Sequence, residues 1–239
     1  MKLTEKNALC ELFAKGGIEV SDEQYRRLER YAELLCEWNE KMNLTAITDP
    51  EGIAVKHFFD SVYPFFLGDF LPQGGKVIDV GTGAGFPSCP LKVFREDIRL
   101  TLLDSLNKRI GFLTELSEQI GLEAECIHGR AEELGRKEGF RGSFDLATAR
   151  AVAALPMLCE YCLPFVKVGG CFAALKGPDG AEELRGAKSA VAVLGGEALL
   201  CKEYTLPNGD ARTLIVIKKS KPTPPKYPRN KGQIDKRPL

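Results

Sequence analysis

The sequence predicts an α/β protein: a Rossmann-like, mostly parallel sheet closed by a C-terminal antiparallel hairpin, with an N-terminal helical extension. Three observations carry this. The apolar-biased run Lys76-Val77-Ile78-Asp79-Val80 leads into Gly81-Thr82-Gly83-Ala84-Gly85-Phe86-Pro87, which reads as a buried parallel strand turning sharply into a helix. Beyond it, strand-like and helix-like segments alternate to about residue 194. Pro207-Asn208-Gly209-Asp210 then separates two strand-like runs, and Asn-Gly is a strong hairpin signal.

In chain order, Leu9, Leu12 and Phe13 recur at helical spacing in residues 4–15, and Gly16-Gly17 stops that helix. Ser21 and Gln24 fit a capping box for a second helix running to about Trp38, with Tyr25, Leu28, Ala32 and Leu35 on one face. Thr48 or Asp49 caps a third, with Pro50 in its first turn and His57 and Asp60 three residues apart. Leu71 to Gly75 is a linker, so the chain divides into a helical region (1–70), a sheet domain (71–219) and a basic, Pro-rich tail (220–239). Strands are expected at 76–80, 98–103, 124–128, 144–149 and 170–175, a helix at 87–95, one helix over 180–194, and hairpin arms at 197–206 and 211–217. Pro222, Pro224, Pro225 and Pro228 predict an extended or disordered tail.

A chain of 239 residues, 44% hydrophobic and 28% charged, has the size and composition of a globular protein with a full α/β core. No apolar run approaches the roughly 20 residues that span a bilayer, and the N-terminus lacks a signal-peptide apolar region. A cytoplasmic monomer with no membrane partner is expected. The eight cysteines are scattered among apolar neighbours and read as free buried thiols. Cys159 and Cys162 form a C-x-x-C without a second pair at zinc spacing, so no metal is expected. Thirty-three basic and 33 acidic residues cancel, but Lys218, Lys219, Lys221, Lys226, Arg229, Lys231, Lys236 and Arg237 face only Asp235 near the end. That segment can supply phosphate contacts, with Lys226 and Arg229 as candidates.

The spacing Gly81-x-Gly83-x-Gly85 places Phe86 where a dinucleotide fingerprint has its third glycine, so a pyrophosphate is not the favoured guest. Asp79 at the strand end and bare backbone after it suit a ligand with a cationic amino-acid part and a ribose. This resembles the first motif of class I S-adenosylmethionine (SAM) methyltransferases. Asp104 ends the second strand where doubly wound folds place a ribose-binding acid, although capping the next helix is its alternative role. Ala131 and Glu132 follow the third strand and can wall the adenine. Arg150 ends the fourth strand and Lys176 the fifth; both are candidates at the reacting centre.

Absences narrow the acceptor. After strand four stands Thr148-Ala149-Arg150-Ala151-Val152 instead of the N/D-P-P-Y/F motif of enzymes that methylate exocyclic amines, and no Pro-Cys offers the nucleophile needed for carbon five of a pyrimidine. The acceptor is then an atom already nucleophilic at neutral pH, such as guanine N7, or one activated by a base the sequence does not identify.

Several blocks together resemble the ribosomal small subunit methyltransferase G family, also called glucose-inhibited division protein B: Trp38-Asn39-x-x-x-Asn43-Leu44-Thr45-Ala46-Ile47, His57-Phe58-Phe59-Asp60-Ser61, Asp79 to Pro87, Asp104-Ser105-Leu106-Asn107-Lys108-Arg109, Arg130-Ala131-Glu132, Thr148 to Val152, and Tyr227-Pro228-Arg229 to Pro238-Leu239. The resemblance implies SAM-dependent methylation of a guanine N7 in the 530 loop of 16S rRNA, free or in the 30S subunit. It implies cofactor contacts at Gly81, Phe86, Ala131, Glu132 and Arg150, to which the motifs add Asp79, Gly83, Gly85, Asp104 and Ser105. Asn43, His57, Asp60 and Lys176 become candidates for the RNA side, and no general base is implied. A nicotinamide-dependent oxidoreductase and a non-catalytic RNA-binding module are the alternatives.

Overall fold

The computed structural model describes residues 3–239. Two helices open the chain, α1 (Lys6–Ala14) and α2 (Asp22–Asn39). Ser21 and Gln24 form the reciprocal capping box at the start of α2. This amphipathic helix buries Leu28, Tyr31, Ala32, Leu34 and Leu35, each large apolar side chain contributing about 1.5–3 kcal/mol.

The third helical segment departs from the expected single helix. Asp49 caps a short α3 (Pro50–Gly52), its carboxylate accepting from Gly52 N at 2.7 Å. The chain then widens into a π-helix over Ile53–Phe59, returns to α4 (Asp60–Val62) and ends in a 3₁₀ turn over Tyr63–Phe66. All of Ile53–Phe59 except Lys56 is buried, as for a helical segment that is apolar nearly all round and packed on most sides.

The sheet follows with β1 (Lys76–Val80), α5 (Ser88–Phe94), β2 (Arg99–Asp104), α6 (Asn107–Gln119), β3 (Ala124–His128), α7 (Ala131–Leu134), β4 (Phe144–Arg150), α8 (Leu155–Cys162) and β5 (Val166–Lys176). Two helices, α9 (Gly180–Gly186) and α10 (Lys188–Val193), stand where one was expected, the chain breaking at Ala187. The arms β6 (Gly196–Thr205) and β7 (Ala211–Lys219) form the hairpin. Strand order is β3-β2-β1-β4-β5-β7-β6; β1 to β5 run parallel and β7 pairs antiparallel with both β5 and β6. Alternate residues of each strand serve two cores. Val77, Leu102, Ala173 and Val216 join α1, α2 and the π segment on one face, while Ile78, Ala147, Phe172 and Ile217 join α8 and α10 on the other.

The tail is ordered, contrary to the expectation of extended or disordered chain, and it includes a helix, α11 (Lys231–Lys236), capped by Asn230. Proline removes backbone donors, so what this segment needs is donors for its carbonyls. Arg141 supplies them, its guanidinium reaching the carbonyls of Thr223, Pro224 and Tyr227. Lys219 Nζ adds hydrogen bonds to Leu163 O and to Thr223. Tyr227 and Ile234 are buried in the same core as α8. Among the described residues no helix is long and apolar enough to cross a membrane.

Candidate functional site

The loop after β1 is shaped by positive φ at Gly81 (72°), Gly83 (62°) and Gly85 (91°), a conformation that side chains with a Cβ resist. Gly81 N and Thr82 N donate to Leu103 O at 2.8 and 3.1 Å, tying the loop to β2. At Gly85 the space of a Cβ is taken by Tyr31 Oη and Cys89 Sγ, at 2.6 and 2.7 Å from the position it would occupy. Tyr31 Oη donates to Ala84 O, so α2 props the loop from behind.

Asp79 does not reach the ligand side as expected. It is fully buried beneath the loop, accepting from Thr82 Oγ1 at 2.9 Å and Ser88 N at 3.3 Å, with Oδ1 left without a partner. Burial pushes its carboxyl up to about 7. Its place at the end of a strand buried on both faces explains this: the side chain of Asp79 points into the interior and organises the turn.

Two cavities meet at Gly81, which lines both. The smaller, about 220 Å³, gathers Asp104, Ser105, Ala131 and Glu132 from the edges of β2 and β3, faced by Met157, Tyr161, Lys231 and Asp235. Asp104 reaches the cavity where a ribose-binding acid is expected, and no side chain caps the start of α6. It is 2% exposed at the cavity wall, and it accepts from Gly83 N at 3.0 Å and Leu106 N at 2.9 Å while pairing with Arg109 at 3.3 Å.

The larger cavity, about 510 Å³, is lined by Thr45, His57, Asp60, Phe86, Arg150 and Lys176 with Lys56, Arg109, Glu183 and Arg212. Asp210 and Asp104 pair with two of its five cationic side chains, Lys56 at 3.2 Å and Arg109 at 3.3 Å, and the two acids of the lining then leave an excess of one positive charge, which mildly favours an anionic guest. Both acids are engaged. Asp60 takes Arg150 Nη1 at 3.4 Å, Arg212 Nε at 3.3 Å and Tyr204 Oη at 3.0 Å, and Glu183 pairs with Lys176 at 2.8 Å and accepts from Leu155 N at 2.9 Å. Asp60 therefore anchors two guanidiniums instead of waiting for substrate. Phe86 stacks between Tyr31 (centroids 5.3 Å apart) and His57 (4.4 Å), with the Arg150 guanidinium 5.1 Å from the same ring. His57 Nε2 lies 2.8 Å from Thr45 Oγ1, while Nδ1 is buried without a partner. Burial, then Arg150, pulls the imidazole down to about 3, so it is neutral near pH 7.

The remaining expected residues fall outside the cleft. Asn43 is exposed and lines neither cavity, although its neighbours Leu44 and Thr45 line the larger. Lys226 lies over the Tyr227 ring at 5.2 Å, away from both cavities. Arg229 is consumed by Glu160, with its Nη2 2.6 Å from the Oε2 of a fully buried carboxylate. Sequence reasoning missed Lys56, Arg109, Glu183 and Arg212 in the larger cavity and Tyr161, Lys231 and Asp235 in the smaller. Arg109 lies in the block after strand two and Lys231 and Asp235 in the charged tail without being singled out there, while Lys56, Tyr161, Glu183 and Arg212 lie in no local signature and arrive through packing between distant segments.

The family described as rRNA small subunit methyltransferase G matches residues 24–212 of this chain. The chain is 52% identical to the "Ribosomal RNA small subunit methyltransferase G" of Alkaliphilus metalliredigens over 225 residues, 93% of this chain and 94% of that protein. It is 48% identical to the protein of the same name from Geobacillus thermodenitrificans over 241 residues, covering 100% of each. In fold it is similar to TrmN from Thermus thermophilus (TM-score 0.52, 19% identity, 70% of this chain and 53% of that one). It is also similar to the Methanococcus jannaschii fibrillarin pre-rRNA processing protein (TM-score 0.52, 14% identity, 64% of this chain and 70% of that one).

Proposed function

The chain belongs to the rRNA small subunit methyltransferase G family, and on that premise we propose that it transfers a methyl group from SAM to N7 of a guanine in the 530 loop of 16S rRNA. The fold is that of class I SAM-dependent methyltransferases. The observation that carries the reading is the meeting of an acid-edged cavity and a cation-lined one at Gly81, where a side chain would collide with Val152 Cγ2 at 2.8 Å.

The residues of the smaller cavity fit SAM. Asp104 offers carboxylate oxygens to ribose hydroxyls, Ala131 and Glu132 wall the base, and the glycine loop lets the ligand approach bare backbone. When bound, SAM supplies a methyl group activated by its sulfonium. The larger cavity takes the RNA: Arg150, held by Asp60 and by the Phe86 face, and Lys56 and Arg212 beside it present positive charge to the phosphates and the base. Guanine N7 has a free in-plane lone pair, so the protein need not remove a proton. That agrees with two wall acids already committed to cations and a histidine whose pKa of about 3 makes it a weak base. Alignment of two reactants alone is worth roughly 7–11 kcal/mol.

The test is the 7-methylguanine content of 16S rRNA from cells with and without the gene. Loss of one methyl per rRNA in the 530 loop is expected, and restoration by the wild-type gene but not by an Arg150→Ala copy. Identical methylation in both strains would reject the reading.

A further inference from the structure

The smaller cavity has a wall that the strand edges do not supply. Opposite Asp104 and Glu132 it is closed by Tyr161 of α8 and by Lys231 and Asp235 of α11. We propose that the C-terminal segment is a built part of the cofactor site, in which Asp235, Lys231 and Tyr161 bind the adenosine end of SAM. This rests on the SAM-dependent reading above.

Three features support it. The helix α11 is held by contacts within the protein: Ile234 is fully buried, and Arg229 donates from its backbone N (2.7 Å) and its guanidinium to the buried Glu160. The wall is thus fixed by the protein's own packing, and a wall ordered in this way lowers the ordering cost of binding. The three groups are mutually arranged, with Tyr161 Oη 3.5 Å from Asp235 Oδ1 and Lys231 paired with the same carboxylate. Their side chains keep access to solvent, 54% for Lys231 and 39% for Asp235, so lone pairs and N–H groups remain for a guest. The chemistry matches a purine that carries both amine donors and ring-nitrogen acceptors, since the wall offers a carboxylate beside an ammonium and a hydroxyl. Burial and Asp235 push the Tyr161 hydroxyl up to about 12, which keeps it a donor near neutral pH.

The experiment is calorimetric titration of the full-length chain with S-adenosylhomocysteine, the product SAM would leave, for wild type, Asp235→Ala, Lys231→Ala and Tyr161→Phe, with Lys226→Ala as a control outside both cavities. Hydrogen exchange of residues 227–237 is followed with and without the ligand. Asp235→Ala is expected to weaken binding about 5- to 20-fold through loss of charge-assisted hydrogen bonds. Lys226→Ala should bind as wild type does, and the ligand should slow exchange in α11. Wild-type affinity in all three wall variants with unchanged exchange in α11 overturns the wall while leaving the cofactor reading intact. Failure of the wild-type chain to bind S-adenosylhomocysteine overturns both.

Discussion

Asp60 Oδ2 lies 3.4 Å from Arg150 Nη1, both side chains largely withdrawn from water, and the same oxygen takes Arg212 Nε at 3.3 Å. One carboxylate thus holds two cations at the wall of the larger cavity. Removing it leaves the largely buried Arg150 without a counterion and Arg212 with only the Asp210 carboxylate at 3.4 Å, so Asp60→Ala should lower stability by about 3–5 kcal/mol, read as a shift of the urea midpoint. Asp60→Asn, which keeps an acceptor for Tyr204, should cost less. An unchanged midpoint in Asp60→Ala would remove the anchoring role.

Asp104→Ala should weaken SAM binding by about 1–3 kcal/mol, as expected for hydrogen bonds to a charged group. Calorimetry on the folded variant separates this from the loss of its bonds to Gly83 and Leu106. Wild-type affinity would contradict the ribose role.

Acid stability should be set by two groups of opposite sign. His57, pulled down from 6.5 to about 3, is neutral in the fold where the unfolded chain would be protonated, so its contribution is complete above 6.5 and is lost as pH falls toward 3. Asp79, raised from 3.8 to about 7, holds a proton in the fold that the unfolded chain has released, so its contribution is complete below 3.8 and is lost as pH rises through 7. Between 3.8 and 6.5 the slopes oppose each other. The stability of His57→Gln should therefore fall with rising pH across this window, and that of Asp79→Asn should climb more steeply than wild type. Urea melts at several pH values decide it; parallel curves for all three proteins would refute both assignments.

Two glycines of one loop should respond differently to alanine. Gly83 has φ 62° and nothing within 4 Å of its absent Cβ, so Gly83→Ala should cost only the left-handed backbone penalty, about 1–2 kcal/mol. Gly85→Ala should add overpacking against Tyr31 and Cys89, a further 1–3 kcal/mol or so, and should separate α2 from the loop. Equal thermal midpoints would contradict the buttress from α2.

The strand ends were readable because a buried parallel strand, a glycine turn and a helix leave a local signature; Gly81, Asp104, Ala131 and Glu132 were found that way and meet in one cavity. Asp79 had the same signature, yet which way its side chain points depends on strand parity relative to a sheet covered on both faces. The tail misled for another reason. Its prolines report a lack of backbone donors, whereas its order comes from Arg141, more than 80 residues earlier, supplying those donors through space. Arg229 likewise is neutralised by Glu160, 69 residues earlier, and Arg212 is held at the cavity by Asp60 and Asp210 together.

The widened turn over Ile53–Phe59 has a practical consequence for anyone shortening this protein. Deleting one residue there would let the backbone tighten to the commoner 3.6-residue winding, and the larger turn angle of each remaining residue would offset the about 100° lost with the missing one, so what lies downstream would keep nearly its phase. Asp60 would stay near both arginines, while the buried side chains of the segment itself would be re-aimed. Loss of packing with the cavity's own groups still in place would be the mark of such an indel.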